Sequence, residues 1–199
     1  MRDLVAGARR FVELQRVLPG ISTEQLRSRL NRMVADGLLT RKRYREVPPR
    51  VDYELTQRAR ELLPVLGELA RWGYEWAWGP PREGEAVDVT AIFRLAPGLI
   101  APGALRPGTV ALVVQEDGED ARTYSLTLTA QQVTVEQREE RHADARVSGD
   151  RAGWVAALAP SGDRRELTIT GDAGLAGGVL DLLALGSEQR AQAQGTAAA

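Results

Sequence analysis

The stretch ISTEQLRSRLNRM, residues 21–33, limits the possible folds more than any other part of this chain. Its apolar residues fall at helical spacing. At 100° per residue, Leu30 and Met33 lie within about 40° of Leu26, and Val34 lies at about 80°. Both ends carry stop signals. Ser22 and Gln25 form an S-x-x-Q capping box, in which the hydroxyl accepts from the Gln25 backbone N–H and the Gln25 side chain reaches back. Asp36-Gly37 closes the helix, with glycine suited to a left-handed cap. Upstream, Arg9 to Leu18 reads as a short amphipathic helix with Phe11, Leu14, Val17 and Leu18 on one side, ended by Pro19-Gly20. Two helices joined by a tight turn follow the helix-turn-helix plan.

The next segment changes period. In LLTRKRYREVPPRVDYELT, residues Leu39, Arg41, Arg43 and Arg45 alternate with Thr40, Lys42 and Tyr44, and Val51, Tyr53 and Leu55 alternate after the prolines. This predicts a β-hairpin with Pro48-Pro49 at its tip, since proline cannot donate to a strand ladder. Thr56 is expected to cap a long helix to about Trp78, kinked at Pro64, with a stripe of Leu62, Val65, Leu66, Leu69, Trp72 and Trp76. Residues 79–86, GPPREGEA, read as a linker.

Beyond the linker the pattern becomes strand-rich. Strands are predicted over 87–95, 109–116, 122–129, 132–137, 143–149 and 166–171, with Asp117-Gly118 as a hairpin turn. Helices are predicted from Asp150 through Leu158 and from Asp172 to about Leu185. Strands first and helices late imply an α+β layer. The expected fold class is therefore α+β, a winged helix-turn-helix followed by a sheet with helices on one face. The expected domains are 1–78 and 87–186, with a low-complexity tail over 187–199.

Charge divides the chain in the same way. The net charge of −1 combines +7 over residues 1–60 with −8 over the remainder, so a basic module precedes an acidic one. There is no cysteine, which removes disulfides, zinc-thiolate sites and thiol chemistry from consideration. No long apolar window suggests a membrane span, and the first residues do not read as a signal peptide, so a cytoplasmic protein without membrane insertion is expected.

The polar side of the 22–36 helix then has two readings, a solvated face or a nucleic-acid face. Glu24, Gln25, Ser28, Asn31 and Arg32 spread over it, and Arg27 and Arg29 flank it. Amide and guanidinium groups read base edges, a small serine permits close approach, and flanking arginines suit phosphates. The basic hairpin that follows favours the nucleic-acid reading, with the hairpin as a wing for the adjacent backbone or minor groove. The candidate DNA-binding residues are Ser22, Thr23, Gln25, Arg27, Ser28, Arg29 and Arg32 on the helix, and Lys42, Arg43, Arg45 and Arg50 on the wing.

The segments RRFVELQRVLPGIS, LRSRLNRMVADGLLTR and REVPPRVDYELTQRARELLPVLGELARWG resemble HxlR-type winged helix-turn-helix transcriptional regulators, over roughly residues 4–76. The resemblance implies a homodimeric regulator of an inverted-repeat, double-stranded DNA operator. The resemblance also implies two further helices ahead of the segment matching RDLVAG, often with a sensing cysteine, and Met1 is expected to fall at the end of the first helix of the trihelical core.

The segment from Ala143 to Leu185 resembles the end of sterol-carrier-protein-like domains, through Ser148-Gly149-Asp150 before a helix and Gly171-Asp172 before another. That resemblance, over about residues 87–186, implies an apolar cavity for a hydrophobic small molecule. Trp154, Leu158, Leu175, Val179 and Leu183 are its candidate lining, and plain core is the competing role. Other signals carry no chemistry. GDAGLAGG lacks the Lys-Ser/Thr of a phosphate loop, EDGED lacks calcium-loop spacing, and His142 is the only histidine. No catalysis, metal or cofactor is expected. The leading reading is a two-domain regulator. Its rivals are a hydrophobic-ligand carrier with a vestigial DNA-binding module and an interaction module built on Trp72 and Trp76.

Overall fold

The computed structural model describes residues 1–18, 20–45, 50–77, 79, 81–82, 87–116 and 121–184. The chain forms two compact units, Met1–Leu63 and Pro64–Ala199. The division falls in the first turn of a helix that the sequence groups with the N-terminal module.

In the first unit a single 3-10 turn, Arg2–Leu4, precedes β1 (Arg9–Arg10) and α1 (Phe11–Arg16). The helix predicted from Arg9 therefore starts two residues later, because Arg9 and Arg10 pair with Tyr53 and Asp52 as an edge strand. Next come α2 (Thr23–Ala35), β2 (Leu39–Tyr44), β3 (Arg50–Leu55) and α3 (Gln57–Arg60). The three strands order as β1-β3-β2, all antiparallel. Leu14, Leu26, Leu30, Leu39, Tyr53 and Leu55 are buried and form the core of this unit with Leu4 and Val5.

Both ends of α2 form as expected. Ser22 Oγ accepts from the Gln25 N–H at 3.1 Å, and Gln25 Oε1 accepts from the Ser22 N–H at 3.2 Å. At the other end Leu38 N–H donates to Met33 O and Gly37 N–H to Val34 O, a Schellman closure with Gly37 at φ +70°. The hairpin tip, including Pro48-Pro49, lies outside the described residues, as does Pro19.

The long helix expected over 56–78 is two helices, α3 and α4 (Leu63–Ala77). Thr56 caps α3 by accepting from the Ala59 N–H at 3.3 Å. Pro64 does not kink a continuous helix. It sits in the first turn of a new one, where its missing N–H has no intrahelical role. The stripe is also placed differently from a core stripe: Val65, Leu69, Trp72 and Trp76 face solvent, while Leu63 and Gly67 are buried.

The second unit continues with α5 (Thr90–Leu99), β4 (Gly108–Gln115), β5 (Arg122–Leu128), β6 (Val133–Gln137), β7 (Ala145–Asp150), α6 (Arg151–Leu158), β8 (Thr168–Gly171) and α7 (Ala173–Leu183). The strand predicted over 87–95 does not form: α5 begins within that segment, at Thr90. Its apolar run is too short for periodicity to separate strand from helix. What decides is packing of Phe93, Ala96 and Leu99 at spacings of three, with Arg94 Nη1 donating to Thr90 Oγ1 one turn back at 2.7 Å.

The five strands order as β6-β5-β4-β7-β8, antiparallel except for β4 against β7. Val110, Leu112, Tyr124, Leu126, Val135, Ala145 and Val147 share one buried face, as the registers require. Helices cover that face. Phe93 of α5 packs edge-on against Tyr124 at 5.7 Å and Trp154 of α6 at 4.6 Å. On α7, Leu175 meets the backbone of β4 at Gly108. Two aspartates start the last helices: Asp150 Oδ1 accepts from Gly153 N–H and Asp172 Oδ1 from Leu175 N–H, both at 2.7 Å. Among the described residues no helix is long and apolar enough to cross a membrane.

Candidate nucleic-acid interface

The helix-turn-helix is held by specific contacts at each end of α2. Gln15 Nε2 on α1 donates to Thr23 Oγ1 at 2.9 Å, fixing the first turn of α2 against the preceding helix. At its far end Arg58 Nη1 donates to Asp36 O at 3.2 Å and Thr56 Oγ1 to Gly37 O at 2.8 Å. The helix is thus anchored by its ends and its apolar face, and the opposite face is left to solvent.

All seven helix residues singled out from the sequence reach solvent. Ser22, Thr23, Gln25, Arg27, Ser28, Arg29 and Arg32 are exposed, together with Glu24 and Asn31. Three are already engaged: Ser22 and Gln25 in the capping box, and Thr23 with Gln15. Arg32 lies 3.9 Å from Asp36, a loose pair between two solvated side chains. Arg27 and Arg29 make no ion pair among the described residues.

On the wing, strand alternation separates two sets of cations. Arg41 and Arg43 share a face with the core residues Leu39, Tyr53 and Leu55, while Lys42, Tyr44, Arg50, Asp52 and Glu54 share the other. Lys42 Nζ pairs with Glu54 at 2.5 Å, and this contact raises the lysine pKa. Arg50 grips Asp52 through Nε at 2.8 and 2.9 Å and Nη2 at 2.6 Å, with its guanidinium 5.2 Å above the Tyr44 ring. Those Arg50 hydrogen bonds hold the Asp52 carboxyl below its ordinary pKa. Arg45 is exposed. Sequence reasoning misses Asp52, which is 2% exposed. The available signal is the R-V-D spacing, which puts Arg50 and Asp52 on one side of a strand.

The five candidate ligand-lining residues do not form one open cavity. Trp154, Leu175, Val179 and Leu183 are packed in the core of the second unit, and Trp154 Nε1 donates to Val113 O at 2.9 Å. Leu158 alone reaches a cleft of about 370 Å³, whose other walls include Tyr74 and Ala77 of α4, Val89 before α5, Ile92 of α5 and Val155 of α6. Tyr74 Oη donates across it to Leu158 O at 3.1 Å, and burial raises its pKa. Asp88 stands at the same cleft, holding Thr90 Oγ1 at 2.6 Å and Arg94 Nη2 at 2.5 Å. Among the described residues there is no group of three or more His, Asp or Glu side chains placed to hold a metal.

Residues 1–79 match the family of HxlR-like helix-turn-helix proteins. YkvN of Bacillus subtilis, an uncharacterized HTH-type transcriptional regulator, is 40% identical over 82 residues, covering 41% of this chain and 70% of its own. YvaP from the same organism, also an HTH-type transcriptional regulator, is 37% identical over 74 residues, or 37% of this chain and 68% of its own. For some other curated relatives the covered share is smaller; an HTH-type regulator of Synechocystis is 43% identical over only 56% of its length. Among solved structures, the redox regulator HypR in its reduced form is 36% identical, covering 37% of this chain and 72% of that one, with a TM-score of 0.36.

Proposed function

The chain belongs to the HxlR-like helix-turn-helix family of DNA-binding transcriptional regulators, and from that premise we propose how it acts. It lays the exposed face of α2 in the major groove of a double-stranded operator and sets its wing on the neighbouring backbone. The observation that carries this reading is the outward face of α2, where Arg27 and Arg29 have no ionic partner among the described residues and Glu24 is the only acid among Ser22 to Arg32. Ser28 and Asn31 lie between the arginines and are the residues proposed to reach base edges. Arg27, Arg29, Arg32, Lys42, Arg43 and Arg45 are the proposed phosphate contacts, joined by Arg41. The carrier alternative is not favoured, because the family match rests on the DNA-reading segment.

The test is the salt dependence of binding to a DNA duplex. Removing one phosphate-binding cation should reduce the slope of log affinity against log salt by about 0.9. Arg29→Ala and Arg43→Ala should each show that reduction. A flat slope for the unaltered protein would remove the regulator reading.

Operator recognition by two-fold pairs requires a dimer, and α4 supports one. Its exposed stripe of Val65, Leu69, Trp72 and Trp76, with the indoles 58% and 71% exposed, is a large apolar surface for a single copy to leave in water. Sedimentation should find a homodimer, and Leu69→Glu should shift it toward monomer with its helix content unchanged. A monomeric unaltered protein at micromolar concentration would refute this part.

The second unit is proposed as a sterol-carrier-like sensing module. Its five-stranded sheet with three helices on one face supports the likeness. A hydrophobic small molecule would then occupy the cleft at Tyr74, Ile92 and Leu158 rather than the packed Trp154–Leu183 face. Its volume falls in the range of small-molecule sites. Such a ligand changes DNA binding only if it has different affinity for two states of the dimer. The protein is proposed to act in the cytoplasm.

A further inference from the structure

Four of the wing's five cations, Lys42, Arg43, Arg45 and Arg50, look equivalent in the sequence and differ in the structure. Lys42 is 54% exposed on its side chain, and its pair with Glu54 is at the surface. Such a pair is weak in water, so the ammonium can leave Glu54 for a phosphate at little cost. Arg43 and Arg45 are exposed and make no ion pair among the described residues. Arg50 differs in kind. Both oxygens of its partner are gripped, and that partner, Asp52, is buried. If the guanidinium swung out to a phosphate, a buried carboxylate would lose its hydrogen-bonded partner beside a polyanion.

The surrounding strands explain why this pair has a position to hold. Tyr44 stands directly opposite Arg50 across the hairpin, and Lys42 stands opposite Asp52. Arg10 of the edge strand stands opposite Asp52 on the other side. One carboxylate therefore sits under the side chains of all three strands, and Arg50 links it to Tyr44 at the end nearest the tip.

We propose that Arg50 is a positioning residue of the wing: clamped by Asp52 and stacked on Tyr44, it fixes the hairpin that carries Arg41, Arg43 and Arg45, and it is not itself a phosphate contact. This rests on the DNA-binding reading above and departs from the expectation that Arg50 is itself a DNA contact.

The two roles separate in one experiment on the full chain. Affinity for a random-sequence DNA duplex is measured between about 50 and 200 mM salt, where phosphate contacts dominate. Arg50→Gln should weaken binding several-fold at every salt concentration and leave the log–log slope unchanged. Arg43→Gln should reduce the slope by about 0.9. Arg50→Lys keeps the charge but cannot make the two-pronged contact, so it should fail as Arg50→Gln does. Asp52→Asn should reproduce the loss, and the double variant Arg50→Gln/Asp52→Asn should be no weaker than either alone.

Circular dichroism of each variant checks that the fold survives; if Arg50→Gln does not fold, Arg50→Lys and Asp52→Asn carry the comparison. A slope reduced by about 0.9 in Arg50→Gln and restored in Arg50→Lys would overturn the proposal. So would wild-type affinity in Arg50→Gln. A flat slope in the unaltered protein would instead refute the DNA-binding reading itself.

Discussion

Replacing Trp154 with alanine should destabilise the second unit by about 4 kcal/mol, within the usual range for removing a buried aromatic. Trp154 is among the largest fully buried side chains, and it joins three elements at once. Its ring meets Phe93 of α5 edge-on at 4.6 Å, and its indole N–H satisfies the Val113 carbonyl of β4. Truncation therefore opens a cavity and also removes the indole hydrogen bond to that carbonyl, which adds about 0.5–1.5 kcal/mol. The first effect is the larger, and both have the same sign.

The same substitution decides between the two roles read for this residue. A tryptophan that lined a ligand cavity would lose ligand affinity on truncation, with modest loss of stability. A core tryptophan loses stability whether or not ligand is present. Chemical denaturation followed by circular dichroism measures this directly. A change below about 1 kcal/mol would mean that the indole is not core, and would return the α6–α7 face to consideration as a ligand site.

The contrast between Trp154 and α2 shows which parts of this molecule its sequence makes legible. Every determinant of α2 is local. The cap lies three residues from its partner, the closing glycine follows the last turn, and the outward face follows from the angle per residue. The alternation of the wing is local in the same sense, so Arg41 and Arg43 can be placed on one side of β2 by counting.

What lies beyond reach depends on contacts distant in sequence. The residues Val87 to Leu95 carry an apolar run compatible with strand or helix, and tertiary packing, above all the fit of Phe93 between Tyr124 and Trp154, selects helix. The parallel pairing of β4 with β7 joins segments separated by two other strands, and no local signal specifies it. The wing clamp is intermediate. Arg50 and Asp52 are two residues apart, yet the burial that makes their pair rigid comes from β1 and β2 on either side. Composition marks Arg50 as a cation and says nothing of its being engaged.

The apolar stripe of α4 is legible as a stripe, but periodicity does not say which side of a helix the rest of the protein occupies. The side that packs is marked by Gly67, where α4 passes α5 with no room for a side chain. A Cβ there would overlap the Gly98 carbonyl oxygen and lie 2.5 Å from its carbon. Those atoms are backbone, held in a helix that Pro97 and the Ile100 N–H to Ala96 O bond fix in place. They cannot swing aside as a flexible side-chain end would.

Gly67→Ala should therefore destabilise the second unit by about 3 kcal/mol, at or above the upper end of ordinary overpacking. Helix propensity acts in the opposite direction, since alanine in a helix interior is favoured over glycine by about 1 kcal/mol. The clash exceeds that gain, so the sign is loss. Gly73→Ala, further along the same helix, is the control: a Cβ there meets nothing within 4 Å, so propensity alone should stabilise it by up to about 1 kcal/mol.

Relief of the clash requires α4 to move away from α5, and these two helices supply Tyr74, Ala77 and Ile92 to the cleft. An apolar fluorescent dye that binds the cleft should consequently lose affinity in Gly67→Ala and keep it in Gly73→Ala. Equal stability of the two variants would show that α4 and α5 do not pass at glycine contact. With that the case for a cleft whose width they set would fall as well.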